Sequence, residues 1–559
     1  MTNAFKYRRL IPVAVLAVLG VVLWFVSMRH YIEEPALSHK SGFYKGEILL
    51  KMSASNAEKI YYTLDGSTPD ASSLCYTEPI RIADATQNPN NYSMLTNVSA
   101  GFMTDLLEKY QTIDGIPGYV APDFPVDKCT VVRAVAVNSS GDVSEVVTAS
   151  YFVDIDPQKY SSKIISLVTD PENLFDEKNG IYVTGETMSN YIEKYEVYKE
   201  WKFWNANYRN RGAGWERPVN LEFFDENGTL QHSQTAGTRV HGGVSRATLP
   251  RSLNLYARQD YDNFSNFCIP LFQSDFIPKR ITLNSGGNQL ITQFSDYMMT
   301  DRVRHLNFAT MLYQPYVLFI NGEYWGFYWL SEKFDENYLE HYYNVDKDNV
   351  IVIKNDELEI GAPEDIALFH NMQQFISEND MSVEKNYQSA CELIDMESYL
   401  DYYATMIYVG RMKDWPGTNF ALWRTKETSA SGEYADGKWR WMLFDSNSTG
   451  MSEAMGLTTF NTLEYVIEED AVFRSLWASE TFRTDFEQRI LDIGASCFDS
   501  GEMSSFIDRY KEDMEPVLEK SWARFYGRNN DKAVEFDDMM ESHRAFFTGR
   551  YEAVKNWFQ

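Results

Sequence analysis

Two segments place oxygen-bearing side chains at a spacing that phosphoryl transfer uses. Arg411-Met412-Lys413-Asp414-Trp415-Pro416-Gly417-Thr418-Asn419 sets a carboxylate and an amide five residues apart. KWRWMLFD, residues 438–445, ends a strand-like run on Asp445, followed by Ser446 and Asn447. Asp414 and Asn419 can project from one loop into one cleft, and Asp445 can complete it. In phosphoryl transfer an aspartate orients the acceptor hydroxyl while an asparagine and a second aspartate hold a divalent cation against the triphosphate. Hard oxygen ligands select Mg²⁺ or Mn²⁺ over zinc. A plainer reading fits the same residues, an Asx turn at Asp414 and a strand-closing Asp445. H-R-D, D-F-G and G-x-G-x-x-G are all absent from the sequence, which excludes an ordinary protein kinase.

The elements that must carry these loops read as α+β. IISLVTD (164–170), VNLEFFDENG (219–228), TRVHGG (238–243) and RSLNLYAR (251–258) have strand patterns. YVLFING (316–322) and YWGFYWLSEKF (324–334) flank an Asn321-Gly322 turn, a strong hairpin signal. Helices are expected over 186–208, 335–343 and 396–409, and hairpins followed by helices suggest α+β rather than a doubly wound sheet. From about 458 onward, apolar residues recur at helical spacing. His241 reads as a core histidine, and Trp201, Trp204, Tyr208 and Trp215 as packing. Gly286-Gly287 reads as a tight turn, and Asp296 as a local cap or pair.

Of 559 residues, 51 are Lys or Arg and 80 are Asp or Glu, a net charge of −29. No basic face is available for nucleic acid, whereas 44 % hydrophobic residues supply a large core. Lys6, Arg8 and Arg9 precede an apolar run, Leu10–Met28, long enough at about 1.5 Å per residue to cross a bilayer. With no small-residue cleavage site, it reads as an uncleaved anchor with everything after about residue 30 outside the cell. Five scattered cysteines form no redox or zinc motif; Cys75 and Cys129 are either a bridge or two free thiols. Short alternating strands from Gly42 to Val153 read as an immunoglobulin-like sandwich.

That first module resembles the chitobiase/β-hexosaminidase C-terminal-type domain through YTLDGSTP (62–69) and RAVAVNSSGDVSEVVTASYFV (133–153), with an insertion at about 84–128. The resemblance implies an accessory module, either a spacer or a carbohydrate contact. Residues from about 163 to 555 resemble the spore-coat CotH kinase-like family. The matching stretches include TDPENLFDEKNGIYVTG (169–185), GTRVHGGVSRATLPRSLNLYAR (237–258), LNSGGNQ (283–289), NGEYWGFYWLSEKFDENYL (321–339), KDWPGTNFALW (413–423) and KWRWMLFDSN (438–447). The resemblance implies an atypical exported kinase-like lobe that binds ATP with Mg²⁺ or Mn²⁺ and phosphorylates Ser/Thr of surface or secreted proteins. By position it makes Asp414 the catalytic-loop aspartate, Asn419 and Asp445 metal ligands, and Glu332 the acidic partner of a phosphate-binding cation. Two departures stand out. Where the family supplies lysine, the chain reads Leu249-Pro250-Arg251-Ser252, so Arg251 and Arg246 become the phosphate candidates. Where it supplies Asp-x-Asp, the chain reads Asp445-Ser446-Asn447, so Asn447 offers only an amide oxygen.

The expected organisation is a cytoplasmic stub and transmembrane anchor (1–30), an Ig-like module (36–154), a CotH kinase-like domain (161–450) and its helical C-terminal part (451–559). Its expected place is the cell membrane, with the bulk of the chain extracellular and no nucleic-acid partner. The alternative is an inactive kinase-like adhesion protein whose sandwich contacts cell-wall or other carbohydrate.

Overall fold

The computed structural model describes residues 32–99, 119–195, 205–287, 289–412, 414–429, 432–446 and 457–559. The run Leu10–Met28 lies outside them, and among the described residues no helix is long and apolar enough to cross a membrane.

The N-terminal region is β-rich. Its main sheet runs in the order Gly42–Tyr44, Val147–Val153, Thr130–Val137, Lys59–Thr63, Leu74–Cys75, with the first pair parallel. Two short strand pairs, Ile48–Leu50 with Ile80–Ile82 and Ala36–Leu37 with Met52–Ser53, bring Leu50, Met52 and Ile82 against Val132, Ala134 and Tyr151. Cys75 is exposed and Cys129 buried, and both are free, so the bridge does not form.

The module is fastened to the next domain by the signature loop itself. Gly66 sits at φ +85° against Asn321, where a Cβ would lie 2.6 Å from the Asn321 amide carbon. Arg133 Nη1 donates to Gly66 O at 2.9 Å and Thr68 N to Asp170 Oδ2 at 3.2 Å. From the insertion, Ser93 N donates to Glu323 Oε2 at 2.8 Å. Phe43 and Phe152 stack at 4.2 Å and meet Phe224 edge-on, joining the two cores.

The next seven strands close into a barrel: β1 (Lys163–Val168), β2 (Arg217–Phe224), β3 (Leu230–Val240), β4 (Leu253–Tyr256), β5 (Arg280–Asn284), β6 (Tyr313–Ile320) and β7 (Glu323–Ser331). The order is β1-β2-β3-β4-β5-β7-β6, and a parallel β1–β6 pairing closes the ring. Alternate side chains fill the interior, among them Ile165, Leu221, Leu253, Leu283, Leu318 and Leu330. Their neighbours Val317, Phe327 and Trp329 face a larger outer core. Strands buried on both faces lose the clean alternation of a half-exposed strand, and β7 is buried along its whole length.

A second, antiparallel sheet follows in the order β9-β8-β10-β11, from β8 (Val350–Lys354), β9 (Glu357–Ile360), β10 (Ala421–Thr425) and β11 (Arg440–Met442). Helix α1 (Met396–Tyr408) is buried throughout from Ser398 onward. The C-terminal region is helical, ending in α2 (Ser500–Tyr526) and α3 (Lys532–Lys555). Helix α2 lies on β7, where Gly326 at φ +120° makes room for Ser521. The helix expected over 186–208 covers Gly185–Tyr195; residues 196–204 are not described, and Tyr208 belongs to a separate 3₁₀ turn, Asn207–Arg209.

Candidate functional site

A cavity of about 140 Å³ opens between the barrel mouth and the second sheet. Barrel residues Gly242, Ser252, Thr282, Asn284 and Ser331 line one side; Val352, Lys354, Ala421 and Asp445 line the other. Glu332 and Lys333, just past the end of β7, join them, as do Asp296, Tyr313 and Phe334.

The loop carrying Asp414 follows α1. Trp415 is buried and donates from Nε1 to Tyr402 Oη at 3.2 Å, and Thr418 N bonds Asp414 O at 3.1 Å. Asn419 Nδ2 donates to Asp414 Oδ2 at 2.7 Å. The two residues read as a pair five positions apart therefore do meet. Asn419 reaches the contact at φ +54°, a conformation asparagine tolerates better than most residues. The Asx-turn reading is not realised. An Asx turn needs the N–H two residues on, and position 416 is proline. Asp414 Oδ1 is left buried without a hydrogen-bond partner.

Asp445 leaves the second sheet at φ +50°. Burial raises its carboxyl to about pH 6, and the nearby Asp296 and Asp414 carboxylates push the same way, against Arg411 and Lys354. Asp414 and Asp445 thus share one electrostatic neighbourhood. Asp296 is neither a local cap nor a local pair: its Oδ1 accepts from the backbone and hydroxyl of Ser446, at 2.9 and 2.8 Å, fixing the turn that carries Asp445. Asn447 lies outside the described residues.

Glu332 lines the cavity, but its carboxylate accepts from Leu312 N at 2.8 Å and Tyr342 Oη at 2.6 Å rather than from a cation. Burial raises its pKa to about 7. The two arginines expected at phosphate are elsewhere. Arg251 is fully buried, donates to Arg246 O and Val98 O at 2.7 Å each, and stacks on Tyr208 at 4.0 Å. Arg246 donates to Gly242 O at 2.8 Å and to Asn210 O at 3.1 Å, bracing the Gly242-Gly243 loop from behind. Neither lines the cavity.

The cations in the cavity are Lys333 and Lys354, which sequence reasoning missed. Burial lowers both pKa values, and each lacks an ion pair or hydrogen bond among the described residues; Lys333 falls to about 8, helped by like charge from Lys354 and Arg280. Lys354 lies 3.9 Å from the centre of the Phe444 ring. The available signal was a lone lysine ending the apolar strand VIVIK, and another beside the chosen Glu332. His241 also lines the cavity; burial and the surrounding cations hold its ring neutral.

Do these residues suit a divalent cation? Among the described residues no group of three or more His, Cys, Asp or Glu side chains forms a ready cage. Mg²⁺ does not need one, because it binds through one or two carboxylates plus substrate phosphates. The orphaned Asp414 oxygen, the neighbouring Asp445 and the Asn419 amide supply hard oxygens of that type. Lys333 and Lys354, with no direct ion pair or hydrogen bond among the described residues, line the cavity beside Asp445 to meet phosphate.

Residues 238–557 match a family described as CotH kinase protein, and residues 48–151 match one described as Fn3 associated. No curated protein matches the chain. The first match takes in the glycine loop, both lysines, the Asp414 loop, Asp445 and the terminal helices, more than half of the sequence. The chain belongs to the CotH kinase protein family, with an Fn3-associated region at its N-terminus.

Proposed function

We propose that this protein is an atypical protein kinase that transfers the γ-phosphoryl group of ATP to Ser or Thr of a surface or secreted protein. The observation that carries the reading is one cavity lined by two lysines, Lys333 and Lys354, together with the carboxylate of Asp445, whose electrostatic neighbour Asp414 lies just outside the lining. Triphosphate charge requires the first group, and an acceptor hydroxyl with a cation requires the second. Lys333 and Lys354 bind and orient the phosphates. Asp414, its Oδ2 fixed by Asn419, presents Oδ1 to the acceptor hydroxyl and takes its proton. Asp445 and Asn419, with Asn447, would hold a divalent cation, which when bound neutralises charge on the transferring phosphoryl group. Glu332 sets the lip beside Lys333 through its bonds to Leu312 and Tyr342. The barrel mouth and Phe334 exclude water.

The N-terminal run Leu10–Met28 would hold this lobe at the outer face of a membrane, with the β-rich module beside it. The acidic surface suits exported protein partners rather than nucleic acid.

Radiolabelled ATP with Mg²⁺ or Mn²⁺ and the full chain tests the reading. Asp414→Ala and Asp445→Ala should each remove transfer while leaving the melting curve within a few degrees of the parent. Transfer undiminished in both would overturn the assignment.

A further inference from the structure

Arg411 is a fully enclosed charge beside the site. Its side chain is 0 % exposed, and Nε, Nη1 and Nη2 all lack a hydrogen-bond partner among the described residues. The other fully buried arginines each keep at least one hydrogen bond, although Arg251 Nη1 and Arg524 Nε and Nη2 also lack one. Arg550 donates to the carbonyls of Ile407, Tyr408, Thr458 and Phe460, and Arg524 to Tyr119 Oη at 2.6 Å while it stacks on Trp325. A guanidinium carries five donors, and burying it unsatisfied is costly. Arg411 instead stands 3.6 Å from Asp414 Oδ1, the carboxylate oxygen that itself has no hydrogen bond. Its charge also reaches Asp296 and Asp445. The chain fixes it there: Arg411 N bonds Met406 O at 3.0 Å at the end of α1.

We propose that Arg411 is a positioning residue, a built-in counter-cation that gathers Asp296, Asp414 and Asp445. This rests on reading Asp414 and Asp445 as the phosphoryl-transfer centre. Asp445 feels the like charge of both Asp296 and Asp414 when no metal is bound, and the guanidinium beside Asp414 offsets it. The arrangement has an unusual signature. An arginine of purely structural value weakens every property of the site when removed. A counter-cation, once removed, should leave a looser but more negative site that binds free metal more tightly.

The test uses the full chain with Mn²⁺ alone, without nucleotide, read by calorimetry and by melting temperature. We expect Arg411→Gln to melt lower than the parent in chelator, to bind Mn²⁺ about tenfold more tightly, and to gain more melting temperature from Mn²⁺ than the parent does. Arg411→Lys, which keeps the charge without the planar fork, should stay within about threefold of the parent in Mn²⁺ affinity. Unchanged or weaker Mn²⁺ binding by Arg411→Gln overturns the proposal. Should that variant fail to fold, Arg411→Lys decides: parent-like Mn²⁺ binding supports the counter-cation, and lost binding overturns it. A chain that shows this Mn²⁺ pattern yet transfers no phosphate from ATP would retire the kinase reading and leave the role of Arg411 standing.

Discussion

Two pairs of cations, the arginines buried and the lysines half-buried, flank the barrel mouth, and they have opposite surroundings. Arg246 and Arg251 are ringed by backbone carbonyls and tyrosine faces. Lys333 and Lys354 sit in the cavity without a direct ion pair or hydrogen bond among the described residues; the charge of Glu359 reaches both, and that of Asp445 reaches Lys354. A planar guanidinium with several donors can be satisfied by loop carbonyls and so becomes scaffold. A buried ammonium without an acceptor is unfavourable in the folded chain, and it is relieved by an anion that arrives from outside. Between these two pairs, hydrogen-bond satisfaction rather than charge separates the structural cations from the ligand-binding ones.

The comparison breaks most visibly at Arg251. Arg251→Met should orphan the carbonyls of Arg246 and Val98 and lose the stack on Tyr208, at about 3–5 kcal/mol of stability. Denaturant unfolding would show this, with a midpoint shift and little change in slope. A parent-like midpoint would place Arg251 with the lysines. Lys354→Met and Lys333→Met should do the reverse. Their stability should hold, because a desolvated charge is removed, while ATP affinity falls about 100-fold, or roughly 3 kcal/mol. Calorimetry with Mg-ATP measures it, and unweakened binding in both variants would remove the phosphate role.

The two ends of β7 sharpen the same contrast. At its start, Glu323 is satisfied by backbone amides of the β-rich module; at its far end, Lys333 is not. Glu222 on β2 lies between these extremes at the same module junction. It is fully buried, Oε1 accepts from Ser41 Oγ, and Oε2 has no partner. Burial lifts its carboxyl to about 7. The folded chain therefore keeps a proton that the unfolded chain releases at lower pH. The resulting stability is complete below the ordinary glutamate value and is lost as pH rises through about 7. Glu222→Gln should raise the melting temperature at pH 8, by at most about 3 kcal/mol in stability, and leave it unchanged near pH 4. Equal shifts at both pH values would show that charge is not the cause.

Much of this was legible in the sequence, for definite reasons. The Asn321-Gly322 hairpin and the C-terminal helices announce themselves by local turn chemistry and period. The Asp414–Asn419 contact was readable because both residues lie on one short loop. Closure of the barrel was not, because the parallel β1–β6 pairing joins residues about 150 positions apart in sequence and leaves no local mark. Asp296 was misread as local for the same reason: its partner is Ser446. Arg251 and Arg246 were chosen by type beside a glycine turn, but whether carbonyls already surround a cation is a tertiary fact. Lys354 carried a fainter mark, one lysine closing an otherwise apolar strand.

The smallest effect is the most specific to the lysine side of the comparison. Burial and the like charges of Lys354 and Arg280 hold Lys333 at about 8 in the free protein. Below about pH 7 the ammonium is fully formed and ready for phosphate. Above 8 the free chain carries a neutral amine, and binding must first return a proton to it. Mg-ATP affinity should therefore be flat at low pH and weaken by up to about tenfold per pH unit above 8, until the pKa of the complex is reached. Lys354, lowered in the same direction, adds to the slope. Lys333→Arg keeps its charge throughout this range and should flatten the profile to the part that Lys354 contributes. An undiminished slope in Lys333→Arg would assign the pH dependence to another group and leave Lys333 outside the phosphate site.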